Sequence, residues 1–120
     1  MSEARLLSYA AIATGQAPKE HWRALSRTMS RSGAYAGAVA WTGTMFEFFM
    51  PELLITSKEG SMCYEALKYA FHCQKRRHTP FGISESGYYA FDSELNYQYK
   101  AHGVPVSYTH LRAHETVLDL

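Results

Sequence analysis

One carboxylate stands inside a run of aromatic and thioether side chains, Trp41-Thr42-Gly43-Thr44-Met45-Phe46-Glu47-Phe48-Phe49-Met50-Pro51. A carboxylate stripped of water by Phe46, Phe48, Phe49 and Met50 favours its protonated form unless a cation or several N–H donors compensate. That is the state a general acid needs at neutral pH. The competing role for Glu47 is structural: a side chain turned outward from a buried helix, or a cap on neighbouring backbone. A second carboxylate, Glu85, lies in Phe81-Gly82-Ile83-Ser84-Glu85-Ser86-Gly87-Tyr88-Tyr89-Ala90-Phe91-Asp92, which leads into Leu95-Asn96-Tyr97-Gln98-Tyr99. Aromatic faces stack on sugar rings and planar amides bind hydroxyls, so this composition suits a carbohydrate site. The candidates for sugar contacts are Trp41, Tyr88, Tyr89, Asn96, Gln98 and Tyr99, each weighed against ordinary half-buried packing. Cleavage or transfer of a glycosidic bond uses two flanking carboxyl groups, one as acid and one as nucleophile or base. Glu47 and Glu85 are the first pair the chain offers for it. Their separation, which decides between retention and inversion, is not a property of sequence.

Other chemistries find less support. His72, His78 and Cys73 do not fall at a metal-ligand spacing, so neither a metal nor another cofactor is expected. Cys63 and Cys73 are ten residues apart in one helical pattern, about 15 Å along the axis, too far for a bridge, and read as free thiols. Asp92 and Glu94 read as solvated loop charges. The chain has 120 residues, a formal net charge of +1 and 47% hydrophobic residues, which fits at most one small soluble domain. Its basic residues are dispersed apart from Lys75-Arg76-Arg77, so nucleic acid is not an expected partner. No apolar run is long enough to span a bilayer, no signal pattern opens the chain, and no direct membrane contact is expected from it.

The elements that would position these residues read as helices. Ser2 can cap a helix with Leu6, Leu7, Ala10 and Ala11 at helical spacing, ended by Gly15 and Pro18. Trp22, Leu25 and Met29 predict a second helix that stops in Ser30-Arg31-Ser32-Gly33. Residues 33–40 are small and Gly-rich and predict a loop lying close to other backbone. A helix from Thr42 or Thr44 carries Glu47 and is ended or kinked by Pro51. A further amphipathic helix from Ser61 to about Arg77 presents Tyr64, Leu67, Ala70, Phe71 and Gln74, with its basic end suited to the helix dipole. No strand alternation stands out. The predicted class is all-α, built of helical hairpins and too short to close a core alone.

Residues 106–120 break with this pattern, having neither periodicity nor turn chemistry, and resemble a translated sequencing-library adapter rather than domain sequence. His110 and His114 are then not ligands.

Four stretches in one order, Ser2-Glu3-Ala4-Arg5-Leu6, Trp41 to Pro51, Gly82 to Gly87 and Leu95 to Pro105, resemble the glycoamylase-like domain of cyclic β-1,2-glucan synthases. The resemblance covers nearly all of residues 2–105. It implies a partial (α/α)6-barrel fragment of a glycoside hydrolase or transglycosylase domain over residues 1–105, acting on β-1,2-glucan. The parent implied is a very large bacterial inner-membrane protein with glycosyltransferase and phosphorylase-like regions, this segment lying on its cytoplasmic side. Glu3 becomes a possible additional site residue, against a favourable charge at a helix N-terminus. The family usually has Tyr-Leu where this chain has Phe48-Phe49, and Trp where it has Phe81, which removes one possible hydrogen bond at each position. A non-catalytic carbohydrate-binding or structural helical module is the alternative, and a chain of this length is expected to be inactive by itself.

Overall fold

The computed structural model describes residues 2–77, 81–82, 84, 90–98 and 103. In order, these form α1 (Arg5–Ala13), α2 (Lys19–Ala24), β1 (Met29–Ser32), β2 (Tyr35–Ala38), α3 (Met45–Phe49), a 3-10 turn (Met50–Leu53) and α4 (Met62–Arg77). The expectation of an all-α, (α/α)6-barrel architecture is therefore overturned. The described chain is a small mixed α/β unit of four α-helices and a two-stranded antiparallel sheet.

The departure begins at Leu25. The spacing of Trp22, Leu25 and Met29 predicts one helix, but Leu25 turns extended, with φ −63° and ψ 134°. The Arg27 side chain folds back over the helix end, its Nη1 donating to the carbonyls of Arg23 at 3.1 Å and Leu25 at 2.9 Å. Its Nη2 donates to the carbonyl of Trp22. Carbonyls left open at a helix C-terminus are thereby satisfied by a cation, which fits the sign of the helix dipole. Met29 is 55% exposed and does not continue the apolar face of α2.

The chain then runs as β1, turns at Gly33-Ala34 and returns as β2, pairing Met29 with Ala38 and Ser32 with Tyr35. Gly33 has φ 61°, the left-handed value that this two-residue turn requires and glycine adopts freely. The predicted close approach of this segment to other backbone is real. A Cβ on Gly37 would lie 2.7 Å from Cβ of Tyr69 and 2.8 Å from Cα of Ala66, so β2 rests directly on α4.

That contact organises the core. Ala38 and Ala40 meet Phe48, Ala66 and Ala70, while Val39 between them meets Tyr69 and Cys73. The alternation follows the two-residue period of extended chain. The buried positions of α4 are Ala66, Tyr69, Ala70, Cys73 and Gln74, so its inward face is rotated from the predicted one, sharing with it Ala70 and Gln74. The helix starts where predicted, Ser61 Oγ accepting from the Tyr64 N–H at 3.2 Å. Cys63 and Cys73 are both free thiols. Pro51 ends α3 and begins the 3-10 turn, as its missing N–H dictates. Among the described residues no helix is long and apolar enough to cross a membrane.

Candidate functional site

Helix α3 is only five residues long, and local chemistry at its N-terminus fixes where it begins. Thr44 is the N-cap, its Oγ1 accepting from the Glu47 N–H at 3.3 Å, and Glu47 reaches back to the Thr44 N–H at 3.4 Å. This reciprocal pair is a capping box. The same Oε2 of Glu47 also accepts from the Thr42 N–H at 2.8 Å, the Thr42 hydroxyl at 2.7 Å and the Gly43 N–H at 2.8 Å. Glu47 is 5% exposed. The donors that would compensate a buried carboxylate are thus supplied by the loop Thr42–Thr44, and the apolar neighbours do not enclose it uniformly. Phe48 is buried, whereas Phe46 is 47% exposed. Of the two structural alternatives for Glu47, capping neighbouring backbone is realised. Among the described residues the hydrogen bonds of its carboxylate all fall on Oε2.

The C-terminal end of α3 is held by a residue that sequence reasoning passed over. Arg5 is buried, and its Nη1 donates to the carbonyl of Glu47 at 3.1 Å and its Nη2 to that of Phe48 at 2.8 Å. Nη2 also stands 3.6 Å from the Glu52 carboxylate. Burial draws Arg5 below its ordinary value, opposed by its neighbours Cys63 and Glu52. The signal lay in Ser2-Glu3-Ala4-Arg5-Leu6, where attention goes to the carboxylate rather than the guanidinium. Glu3 itself is half-buried on the approach to α1, with Oε2 shut from solvent and lacking a hydrogen-bond partner among the described residues.

Gln74 makes the third connection. Its Nε2 points at the Gly43 carbonyl, 3.5 Å away, and its Oε1 accepts from the Gly82 N–H at 3.3 Å. At Gly103 a Cβ would run into the backbone of Thr42 and Gly43, so that glycine lies against the same loop. The four stretches that are separate in sequence therefore meet around residues 42–48. Arg5 comes from the first, Glu47 from the second, Gly82 from the third and Gly103 from the fourth.

Two cavities flank this junction. The larger, about 290 Å³, is lined by residues including Arg5, Trp22, Arg27, Thr28, Val39 and Trp41. The smaller, about 170 Å³, lies between α1 and the 3-10 turn, against Tyr9, Pro51, Glu52 and Cys63. Trp41 is 67% exposed on the rim of the first. Glu47 lines neither, but the Trp41–Thr42 step joins the larger cleft directly to the loop that holds its carboxylate.

Asn96 and Gln98 sit apart, in an exposed turn organised by Asp92. Asp92 Oδ1 accepts from the N–H groups of Glu94 and Asn96, both at 2.9 Å. Its Oδ2 accepts from the Asn96 side-chain amide at 3.3 Å and that of Gln98 at 3.0 Å. Asp92 is thus more than a solvated loop charge, and the N–H of Asn96, ahead of its side-chain amide, holds its carboxyl below the usual 3.8. Phe91 bridges to Tyr97 across the turn. Glu85, Tyr88, Tyr89 and Tyr99 lie outside the described residues, as do His78 and residues 104–120. Among the described residues no three His, Cys, Asp or Glu side chains converge on a common point.

No family model matches the chain. It is 43% identical over 108 residues to the cyclic beta-(1,2)-glucan synthase NdvB of Rhizobium meliloti (strain 1021). The similarity supports a fragment of that synthase family. The match takes in 87% of this chain and spans 4% of the relative's length.

Proposed function

We propose that the chain is a carbohydrate-handling segment of a cyclic β-1,2-glucan synthase, from a glycoamylase-like region that cleaves or transfers β-1,2-glucan. The observation that carries this reading is the meeting of all four resembling stretches around Glu47. Distant residues hold the backbone of the loop and helix that carry this buried carboxylate, which is how a reacting group is positioned. Glu47 is the proton donor in this reading, and Glu85 the second carboxylate or a sugar-holding group. Trp41, with Tyr88, Tyr89, Asn96, Gln98 and Tyr99, supplies sugar contacts, and Glu3 stands beside Arg5 as an additional candidate. The partners are β-1,2-glucan and the remainder of a parent polypeptide with glycosyltransferase and phosphorylase-like domains, at the cytoplasmic side of a bacterial inner membrane. Residues 1–105 constitute the domain portion and 106–120 the adapter-like tail.

A second reading is favoured by one observation: Glu47 is locked into a capping box and lines neither cavity. In that reading the segment binds glucan without reacting with it. Glu47→Gln in the complete polypeptide separates the two. The catalytic reading expects turnover of β-1,2-glucan to fall by about 10³-fold or more with binding retained. Retained turnover refutes it and leaves the binding reading.

A further inference from the structure

Gln74 projects from α4 into the interior and is 1% exposed. A carboxamide removed from water needs partners at both its ends, and here the partners are of opposite kind. Nε2 faces the carbonyl of Gly43 at 3.5 Å, and Oε1 accepts from the N–H of Gly82 at 3.3 Å. An acceptor at one end and a donor at the other fix the orientation of the amide. Gly43 and Gly82 both lie outside helices and strands, so this side chain ties two loops to α4.

The Gly43 carbonyl belongs to the same peptide group as the Thr44 N–H, which faces Glu47 Oε2 at 3.4 Å. Gln74 therefore acts on one edge of a peptide whose other edge points at the carboxylate. Such a peptide needs a hold. Gly43 has φ 70°, and a glycine lets the neighbouring peptide rotate at little cost. Rotation would carry the Thr44 N–H away from Glu47 and turn a carbonyl oxygen toward it, replacing attraction by repulsion. A donor on the Gly43 carbonyl opposes that rotation, and by polarising the peptide it strengthens the N–H on the far side. Gly103 lies against the same peptide.

We propose that Gln74 is a positioning residue for Glu47, acting through the Gly43–Thr44 peptide to hold the carboxylate in its reacting orientation. The proposal rests on the catalytic reading of Glu47 above and adds to it a residue from another helix. The same amide also holds Gly82, the first residue of the stretch that carries Glu85 in sequence.

The test is steady-state turnover of linear β-1,2-glucan by the complete polypeptide. Gln74→Met keeps the volume and removes both hydrogen bonds. Its kcat is expected to fall about tenfold with KM unchanged, the pattern of a contact that serves the reacting group rather than substrate binding. Gln74→Glu separates the two ends of the amide. Its carboxyl accepts from Gly82 in either protonation state, but only the protonated acid has a donor for the Gly43 carbonyl. Turnover relative to the unsubstituted polypeptide, with both kept folded as read by circular dichroism, is expected to be retained at low pH. That ratio is expected to fall about tenfold as the introduced carboxyl ionises.

An unchanged kcat in Gln74→Met, or a rise in KM without loss of kcat, overturns the positioning role. For a Gln74→Met chain that does not fold, the Gln74→Glu series decides, and a ratio that stays flat across pH overturns the proposal. If Glu47→Gln abolishes turnover while both Gln74 variants match the unsubstituted polypeptide, the positioning role alone fails. If Glu47→Gln retains turnover, the catalytic reading fails and the positioning role with it.

Discussion

Glu47 and Asp92 are built alike and live in opposite surroundings. Each carboxylate gathers nearby N–H groups of its own loop, Glu47 from Thr42, Gly43 and Thr44, Asp92 from Glu94 and Asn96. Glu47 is 5% exposed, while residues 91–98 are all exposed. The difference teaches what burial does to one and the same piece of hydrogen-bond chemistry. Water can replace the Asp92 carboxylate at every donor. At Glu47 it has little access, so the donors of the loop depend on that side chain.

The largest test of this contrast is Glu47→Ala. It strands the buried N–H of Gly43 and the Thr44 cap, and an unfolding loss of about 3 kcal/mol is expected in urea titration. The same truncation at Asp92 is expected to leave the global midpoint unmoved. Equal effects at both carboxylates break the comparison.

Arg5→Met sharpens it from the other end of α3. The carbonyls of Glu47 and Phe48 lose their donor and Glu52 loses its cation, for an expected cost of about 2 kcal/mol. Double-mutant analysis with Glu47→Ala is expected to be non-additive, since both residues clamp one short helix. Strict additivity assigns them to separate units.

The smallest effect is the pH dependence of the Asp92 turn. Its carboxyl value is lowered in the folded chain, chiefly by the N–H of Asn96, so its contribution is complete above the ordinary 3.8. That contribution is lost as the pH falls through the lower folded value. An NMR titration is expected to show the Asp92 carboxyl and the Asn96 amide proton moving together below 3.8. A midpoint at or above that value shows the turn is not held by this carboxylate.

Several features were legible in the chain because they depend on neighbours in sequence. Gly15 has φ 74° and follows the end of α1, Thr44 caps α3, Pro51 stops it, and α4 runs over Met62–Arg77 behind Ser61. The hairpin was not legible. Met29–Ser32 carries no alternating apolar face, and Tyr35–Ala38 is made of small residues whose value lies in letting β2 touch α4. Nor was Arg5 recognisable as a site residue, because its partner Glu47 is 42 positions away.

The sequence by itself determined where α3 and α4 start and stop, that the cysteines stand free, and that one carboxylate would sit among apolar residues beside a threonine cap. These follow from dihedral preference, capping and composition, which act over a few residues. Tertiary structure decided what surrounds that carboxylate. Folding brought Arg5, Gln74 and Gly103 onto the loop of Thr42–Glu47, with Gly82 bound to Gln74 behind it, and opened a tryptophan-lined cleft next to it. The physical reason is that solvation and hydrogen-bond partners of a buried group are set by atoms distant in the chain, and no local pattern encodes them.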